Sequence, residues 1–347
     1  MSKNTSSRQV SIVNSREQSF KIELHEKDNI FVCLLSEWSQ LIESMKVSHP
    51  FYEPEWQFSW WREFGEGKLK IFTMRDENEN LIAIFPFELK TNGTLRLIGG
   101  KDLSDYLDII VHNKFQDLCF ELFLEYLNDS EFSWKHIEFR GIPNESHTLA
   151  VLKRITKNKL DIEKEEVCPV VELPETWDIF LDTLEPRFRR NLLRKIRKVD
   201  TVQNIEFYDS KDNLEEDLNS FISLHSMSQS NKAEFWNDER KKFFFDMTKR
   251  MSEKKLLRLS FIKLDNYPIA TTLSFIYNKK VYLYNSGYDP STSEFSAGLV
   301  LLAHNIKQAI EEKITHFDML RGNESYKYDF GPIDNPIWSA TISKVDL

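Results

Sequence analysis

The stretch His316 to Gly331, HFDMLRGNESYKYDFG, gathers side chains suited to moving protons and holding anions. It begins as an apolar alternation around Phe317 and Met319, with Asp318 between them, and breaks at Arg321-Gly322. Glu324, Tyr326, Lys327, Tyr328 and Asp329 follow at once. A carboxylate can take a proton, a phenol can give one, and Arg or Lys can hold an anion. Asp318, Arg321 and Lys327 are equally the residues that an ion-pair network would use to fix a loop.

Two other stretches carry candidate chemistry. EPRFRRNLLRKIRKVD holds seven basic residues among the twelve from Arg187 to Lys198. Its Phe188, Leu192, Ile196 and Val199 fall on one helical face, which predicts a basic helix over 186–199. Such a helix either lies as a solvated face on its apolar stripe or turns its cations, Arg190 and Arg194 among them, to a phosphorylated ligand. His225 in FISLHSMSQS sits beside serines, but Phe221 and Leu224 also fit a structural histidine. The chain has no GxxxxGK[ST], GxGxxG, HExxH or GxSxG, which disfavours P-loop, Rossmann, zinc-hydrolase and α/β-hydrolase chemistry.

The elements around these residues repeat. KLKIFTMRDENENLIAIFPFELK reads as a hairpin around Asp76–Asn80, followed by strands at 95–98 and 106–111, a helix in FQDLCFELFLEYLND and a strand in WKHIEFRGI. LLRLSFIKLDNYPIATTLSFIYN, KVYLYNSG, AGLVLLAHNIKQAIEEK and ITHFDMLRG give the same order again. HIEFRGIPNES even matches HFDMLRGNES in part. The pattern predicts a duplication, two α/β domains with residues 1–20 as a loose tail, 21–165 as the first and 166–347 as the second.

Composition agrees with a folded chain of this size: 347 residues, 41% hydrophobic and 13% aromatic. A net charge of −9 argues against a dedicated nucleic-acid binder and leaves room for a local basic patch. Cys33, Cys119 and Cys168 are far apart and form no CxxC pair, so neither a disulfide framework nor a zinc site is expected. The polar start and the lack of an apolar run of roughly 20 residues predict neither a signal peptide nor a membrane span. A cytoplasmic location follows as the expectation.

EPRFRRNLLRKIRKV, LHSMSQSNKAEFW, PIATTLSFIYNKKVYLYNSGYDPSTSEFSAGLVLL and FDMLRGNESYKYDFG resemble the C-terminal part of a GNAT-superfamily acyltransferase. The nearest likeness is to the CelD/BcsL-like (BioF2-like) acetyltransferases, relatives of the FemAB peptidyltransferases. The sequence keeps Tyr284, Gly287, Tyr288, Asp289, Pro290, Ser296, Gly298, Asp318, Arg321, Gly322, Glu324, Tyr326 and Lys327 of that pattern, with Ala297 where proline is usual. The specific motifs cover about residues 185–331.

The resemblance implies an α/β (α+β) fold, a tandem pair of GNAT-like domains, each with a mixed, mostly antiparallel sheet flanked by helices. The first domain is expected to be non-catalytic. Acetyl-CoA or another acyl-CoA would be the co-substrate, and no metal would be needed. The pyrophosphate would lie over Ser296, Ala297 and Gly298, with Ser296 capping the helix, and Arg190 and Arg194 would help to hold the donor. Asp318 or Glu324, with His225 in reserve, would be the base. Tyr326 would protonate the leaving thiolate or hold the oxyanion. Arg321, Lys327 and Tyr284 would bind the acceptor, a sugar, a cell-envelope or polysaccharide precursor, or a small amine. The FemAB likeness offers aminoacyl-tRNA as an alternative donor, and a degenerate, ligand-binding domain is the remaining expectation.

Overall fold

The computed structural model describes residues 9–15, 18–100, 102–129, 133–155 and 161–344. The chain divides into two units, Met1–Glu166 with Pro336–Leu347, and Val167–Asn335. Each is a mixed α/β body with a mostly antiparallel sheet flanked by helices.

In the first unit the strands are β1 (Gln9–Ser15), β2 (Gln18–His25), β3 (Lys68–Arg75), β4 (Leu81–Leu89), β5 (Thr94–Leu97), β6 (Ile110–Val111) and β7 (His136–Pro143). Helices α1 (Ile30–Cys33), α2 (Leu35–Glu43), α3 (Pro54–Phe64), α4 (Gln116–Asp129) and α5 (His147–Ile155) complete it. β3 and β4 are buried almost end to end, as strands covered on both faces must be. Phe123 of α4 stacks on Phe85 at 3.9 Å and meets Phe72 edge-on, so α4 closes one face with aromatic packing.

The second unit is entered along β8 (Asp161–Glu172). It contains α6 (Trp177–Thr183), α7 (Pro186–Asp200), β9 (Ile205–Asp209), α8 (Leu214–Ser228), α9 (Ser230–Glu234), α10 (Asp238–Glu253), β10 (Leu257–Leu264), β11 (Tyr267–Tyr277), β12 (Lys280–Tyr288), α11 (Ala297–Glu311), β13 (His316–Asp318) and α12 (Ser325–Tyr328). The strand order is β8-β13-β12-β11-β10-β9, with only β12 and β13 parallel. The run β10-β11-β12-α11-β13 repeats β3-β4-β5-α4-β7, in which β5 and β7 are likewise the parallel pair. The last strand, β14 (Ile333–Ser343), pairs its residues 337–343 with β7 in the first unit.

Several expectations need correction. Residues 9–15 and 18–20 are strand rather than tail, because they add an antiparallel edge to β3; residues 1–8 lie outside the described ones. Residues 336–347 belong to the first unit, not to a second domain running to the C-terminus. The strand expected at 106–111 is reduced to Ile110–Val111. The one expected in ITHFDMLRG is confined to His316–Asp318.

The basic helix forms where the sequence places it. Glu185 accepts from the backbone N–H groups of Arg187 and Phe188, Pro186 opens the first turn, and Leu192 and Val199 are buried beneath it.

Candidate active site

The site begins where β12 and β13 part. Their ladder pairs Lys280 with His316, Val281 with Phe317 and Tyr282 with Asp318, and then ends. β12 runs on from Leu283 to Tyr288, still paired with β11, while among the described residues its ladder with β13 does not continue past Tyr282. A bulge makes Tyr284 the extra residue opposite Leu273 and Ser274. β13 stops because Asp318 turns its Oδ1 onto the Leu320 N–H at 2.8 Å, while Leu320 (φ 54°) and Gly322 (φ 115°) adopt left-handed backbone.

Opposite faces of this sheet are covered by different helices. Thr272 accepts from Asn305 of α11, and Leu283 packs in the same core cluster as Leu302. Asn285 contacts His225 of α8, and a Cβ on Gly287 would lie 2.4 Å from the His225 nitrogen. Only glycine lets α8 approach that closely. The approach brings the end of α8 and the following α9 to the open part of β12.

The gap holds a cavity of about 320 Å³. Leu283, Gly298, Leu299 and Leu302 supply apolar wall, Gln229, Lys232 and Ser286 line it with polar groups, and Glu324 and Tyr326 reach it from the closing segment. In α11 the first amides have no partner within the helix, and Gly298 is exposed to the cavity there. A Cβ on Gly298 would meet the Tyr288 ring at 3.5 Å, an ordinary contact, so packing does not require glycine. Glycine costs a helix about 1 kcal/mol against alanine, which points to space kept for something else.

The closing segment is built around Lys327. This residue is 3% exposed, and its ammonium donates to the carbonyls of Leu320 (3.1 Å), Arg321 (2.9 Å) and Gly322 (3.2 Å) and pairs with Glu324 (3.0 Å). The left-handed turns aim these carbonyls at one point. Gly322 also makes room for Glu324, whose Oε2 lies 2.6 Å from where its Cβ would be. Glu324 is thereby held at the cavity wall. Burial, with the Glu324 charge second, pushes the Tyr326 hydroxyl up to about 12, against an opposing contact with Ser286. It stays protonated at neutral pH, a proton donor rather than a base.

His225 is a buttress. Trp236 Nε1 can only donate, so its 3.0 Å bond makes His225 Nδ1 an acceptor and leaves Nε2–H for Asn285 Oδ1 at 3.1 Å. Burial first, then the Lys232 charge, lowers its pKa to about 4, opposed by Asn285. Lys232 also has a lowered pKa, through burial, with Glu324 opposing. Its Nζ donates to Ser286 O at 3.0 Å.

Of the residues singled out from the sequence, Gly298, Glu324 and Tyr326 converge on the cavity. Gly287 and Tyr288 of the matched pattern line it too, and the remaining ones do not. Asp318, 2% exposed, and Lys327 brace the turn. Arg321 is also outside the wall. His225 is neutral and fully engaged. Tyr284 packs against Phe244 and Phe275. Ala297 is buried in a core cluster with Ile196 and Val199. Ser296 makes no side-chain cap; it is a left-handed pivot (φ 50°) between the 3-10 turn Pro290–Phe295 and α11. The capping in this region is done by Asp289, which accepts from Ser291 N. Arg190 and Arg194 stand exposed on α7, with Arg194 bonded to Asn191. Lys232, Gln229, Ser286 and Thr272 were not singled out. Ser286 and Lys232 lie inside the motifs quoted above, but their meeting depends on the Gly287–His225 approach.

The first unit carries its own cavity, of about 230 Å³, lined by Arg96, Leu97, Gly100, Asp102, Leu107, Glu138 and Arg140. Both arginines are already paired, Arg96 with Glu88 and Arg140 with Glu138 and Glu165.

Residues 186–328 match the family described as Acetyltransferase (GNAT) domain. No curated protein gives a significant match. Among solved structures, FemX is similar at 10% identity and TM-score 0.63, covering 90% of this chain and 96% of that one. L-PGS from Bacillus licheniformis is similar at 12% identity and TM-score 0.54, covering 83% and 91%. A tandem GNAT protein from the clavulanic acid biosynthesis pathway is similar at 9% identity and TM-score 0.51, covering 94% and 98%. The chain thus shares the fold of tandem GNAT proteins, with a GNAT acetyltransferase domain matched over residues 186–328.

Proposed function

We propose that this chain is an acyl-CoA-dependent N- or O-acyltransferase, with acetyl the simplest acyl group, of the CelD/BcsL-like kind that its motif residues resemble. The observation that carries the reading is the open splay beyond Tyr282 and Asp318, with Gly298 on one side and Glu324 and Tyr326 at the other. The donor's pyrophosphate would lie on the free amides that open α11, and the thioester would enter the gap. Glu324 would take the proton from the acceptor's amine or hydroxyl. That nitrogen or oxygen would then attack the thioester carbonyl, the C–S bond would break, and Tyr326 would give its proton to the leaving thiolate. The thioester is already activated, so positioning and proton transfer are the main tasks left to the protein. A sugar, an envelope precursor or a small amine would fit as acceptor.

One observation favours a second donor. The exposed cations of α7, Arg187, Arg190, Arg194 and Arg197, would suit a tRNA backbone, as in the FemAB-like reading. The test is melting of the purified protein with acetyl-CoA, with longer acyl-CoAs and with charged tRNA. Acetyl-CoA or a longer acyl-CoA should raise the melting temperature. A rise with charged tRNA alone would favour the second reading, and no rise with any donor would favour a degenerate domain.

A further inference from the structure

Lys232 is a cation the acyl-transfer scheme leaves unused. It sits on α9 at the cavity wall and makes one hydrogen bond among the described residues, to Ser286 O at 3.0 Å. An ammonium carries three N–H donors, so two are left open at the wall. Among the described residues no carboxylate forms a salt bridge with it, and Glu324, whose charge acts on it, is already paired with Lys327. Half-buried donors without acceptors are costly, and a ligand oxygen would remove that cost.

The position of Lys232 separates it from the donor's phosphates. α11 covers the face carrying Thr272 and Leu283, whereas α8, which leads into α9, covers the face carrying Asn285 and Gly287. Lys232 therefore reaches the gap from the side opposite the first turn of α11. Gln229, the other polar residue brought in by α8, stands on the same wall.

We propose that Lys232 holds an anionic oxygen group of the acceptor, a carboxylate or a phosphate placed beside the reacting amine or hydroxyl. This deepens the acyltransferase reading and rests on it. It makes Lys232 a specificity-determining residue. Acceptors that carry such an anion bind through charge-assisted hydrogen bonds to the two open donors, and their neutral analogues lose that contact.

The test titrates inorganic phosphate, and separately acetate, into the full chain with and without acetyl-CoA, followed by calorimetry. Wild type should bind at least one of the two anions saturably. Lys232→Met should weaken that binding at least tenfold, and Lys232→Arg should retain much of it. Binding of phosphate alone assigns a phosphorylated acceptor, and binding of acetate alone a carboxylate. Equal binding in wild type and Lys232→Met, or no saturable binding in wild type, overturns the proposal. Lys232→Arg guards against a folding defect, since it keeps the charge. Acetyl-CoA binding is read in the same runs. If it is absent, the acyl-CoA reading fails on its own, while the titration of the free protein still judges Lys232.

Discussion

In the first unit the parallel strands β5 and β7 part after Arg96 and Glu138, and the chain itself crosses the gap beside the smaller cavity. Leu107 donates its N–H to Gly141 O at 2.9 Å, and Leu103, Tyr106 and Leu107 are buried. Tyr106 stacks on His49 at 4.0 Å, and Ser104 is fixed between Trp56 and the Gly99 carbonyl. In the second unit β12 and β13 part after Tyr282 and Asp318, and among the described residues no strand extends that ladder further. Here the chain turns through Pro290–Phe295 straight into α11. The same strand arrangement therefore gives once a gap crossed by the chain, with a cavity of about 230 Å³ whose arginines are already paired, and once an open gap with a cavity of about 320 Å³. What differs is the connection after the first strand of the parallel pair. That difference supports the proposal that the second unit carries the chemistry.

The largest effect should come from the closing segment. Glu324→Gln removes the carboxylate that the described residues place at the cavity wall and should lower kcat by about 10²- to 10⁴-fold, the range of general-base catalysis, with the fold intact by circular dichroism. Tyr326→Phe should cost roughly 10²-fold in kcat with acetyl-CoA affinity unchanged. Turnover near wild type in both variants would break the contrast between the units.

Lys327→Met tests brace against ligand. It leaves three inward carbonyls without a donor and should cost about 3 kcal/mol of stability, read by urea unfolding. If Lys327 binds the acceptor instead, stability should hold and KM should rise.

A subtler contrast is in pH. His225 has a folded pKa of about 4 against an ordinary 6.5, so below pH 6.5 the unfolded chain binds a proton that the folded one does not. Its contribution to the second unit is full above 6.5 and falls towards pH 4, by about 3 kcal/mol in all. In the first unit Asp108 is buried with the hydroxyls of Ser146 and Thr148 on its carboxylate, and burial raises its pKa to about 6 from 3.8. Here the folded state binds the extra proton, so stability rises as pH falls from 6 towards 3.8. Melting at pH 7 and pH 5 should show His225→Gln losing the acid-induced drop and Asp108→Asn losing the acid-induced gain. Identical pH profiles in wild type and both variants would contradict these environments.

Much of this was legible in local pattern. The hairpins at Asp76–Asn80 and Asp265, α4, α7 and α11 all show in the periodicity of their apolar residues. Gly298 was legible because a glycine opening a helix lacks a packing reason. Long-range contacts were not. β14 finds β7, with Ile342 opposite Ile137, and no local signal could name that partner. Lys232 meets Ser286 only because Gly287 lets α8 close on β12. Asp318 and Lys327 look the same in sequence whether they face a substrate or a carbonyl. Their burial decides it, and burial comes from the left-handed turn at Leu320 and Gly322.

The central question is whether the open splay of the second unit holds acyl-CoA. Calorimetric titration of acetyl-CoA into wild type and Gly298→Glu decides this most directly. The glutamate Cβ has room beside Tyr288, so the fold should survive, while its charge stands where the pyrophosphate would lie. The expected result is one site per chain in wild type and at least a hundredfold weaker binding in the variant, at an unchanged melting temperature. Equal affinity in the two proteins would place the donor elsewhere and contradict the account.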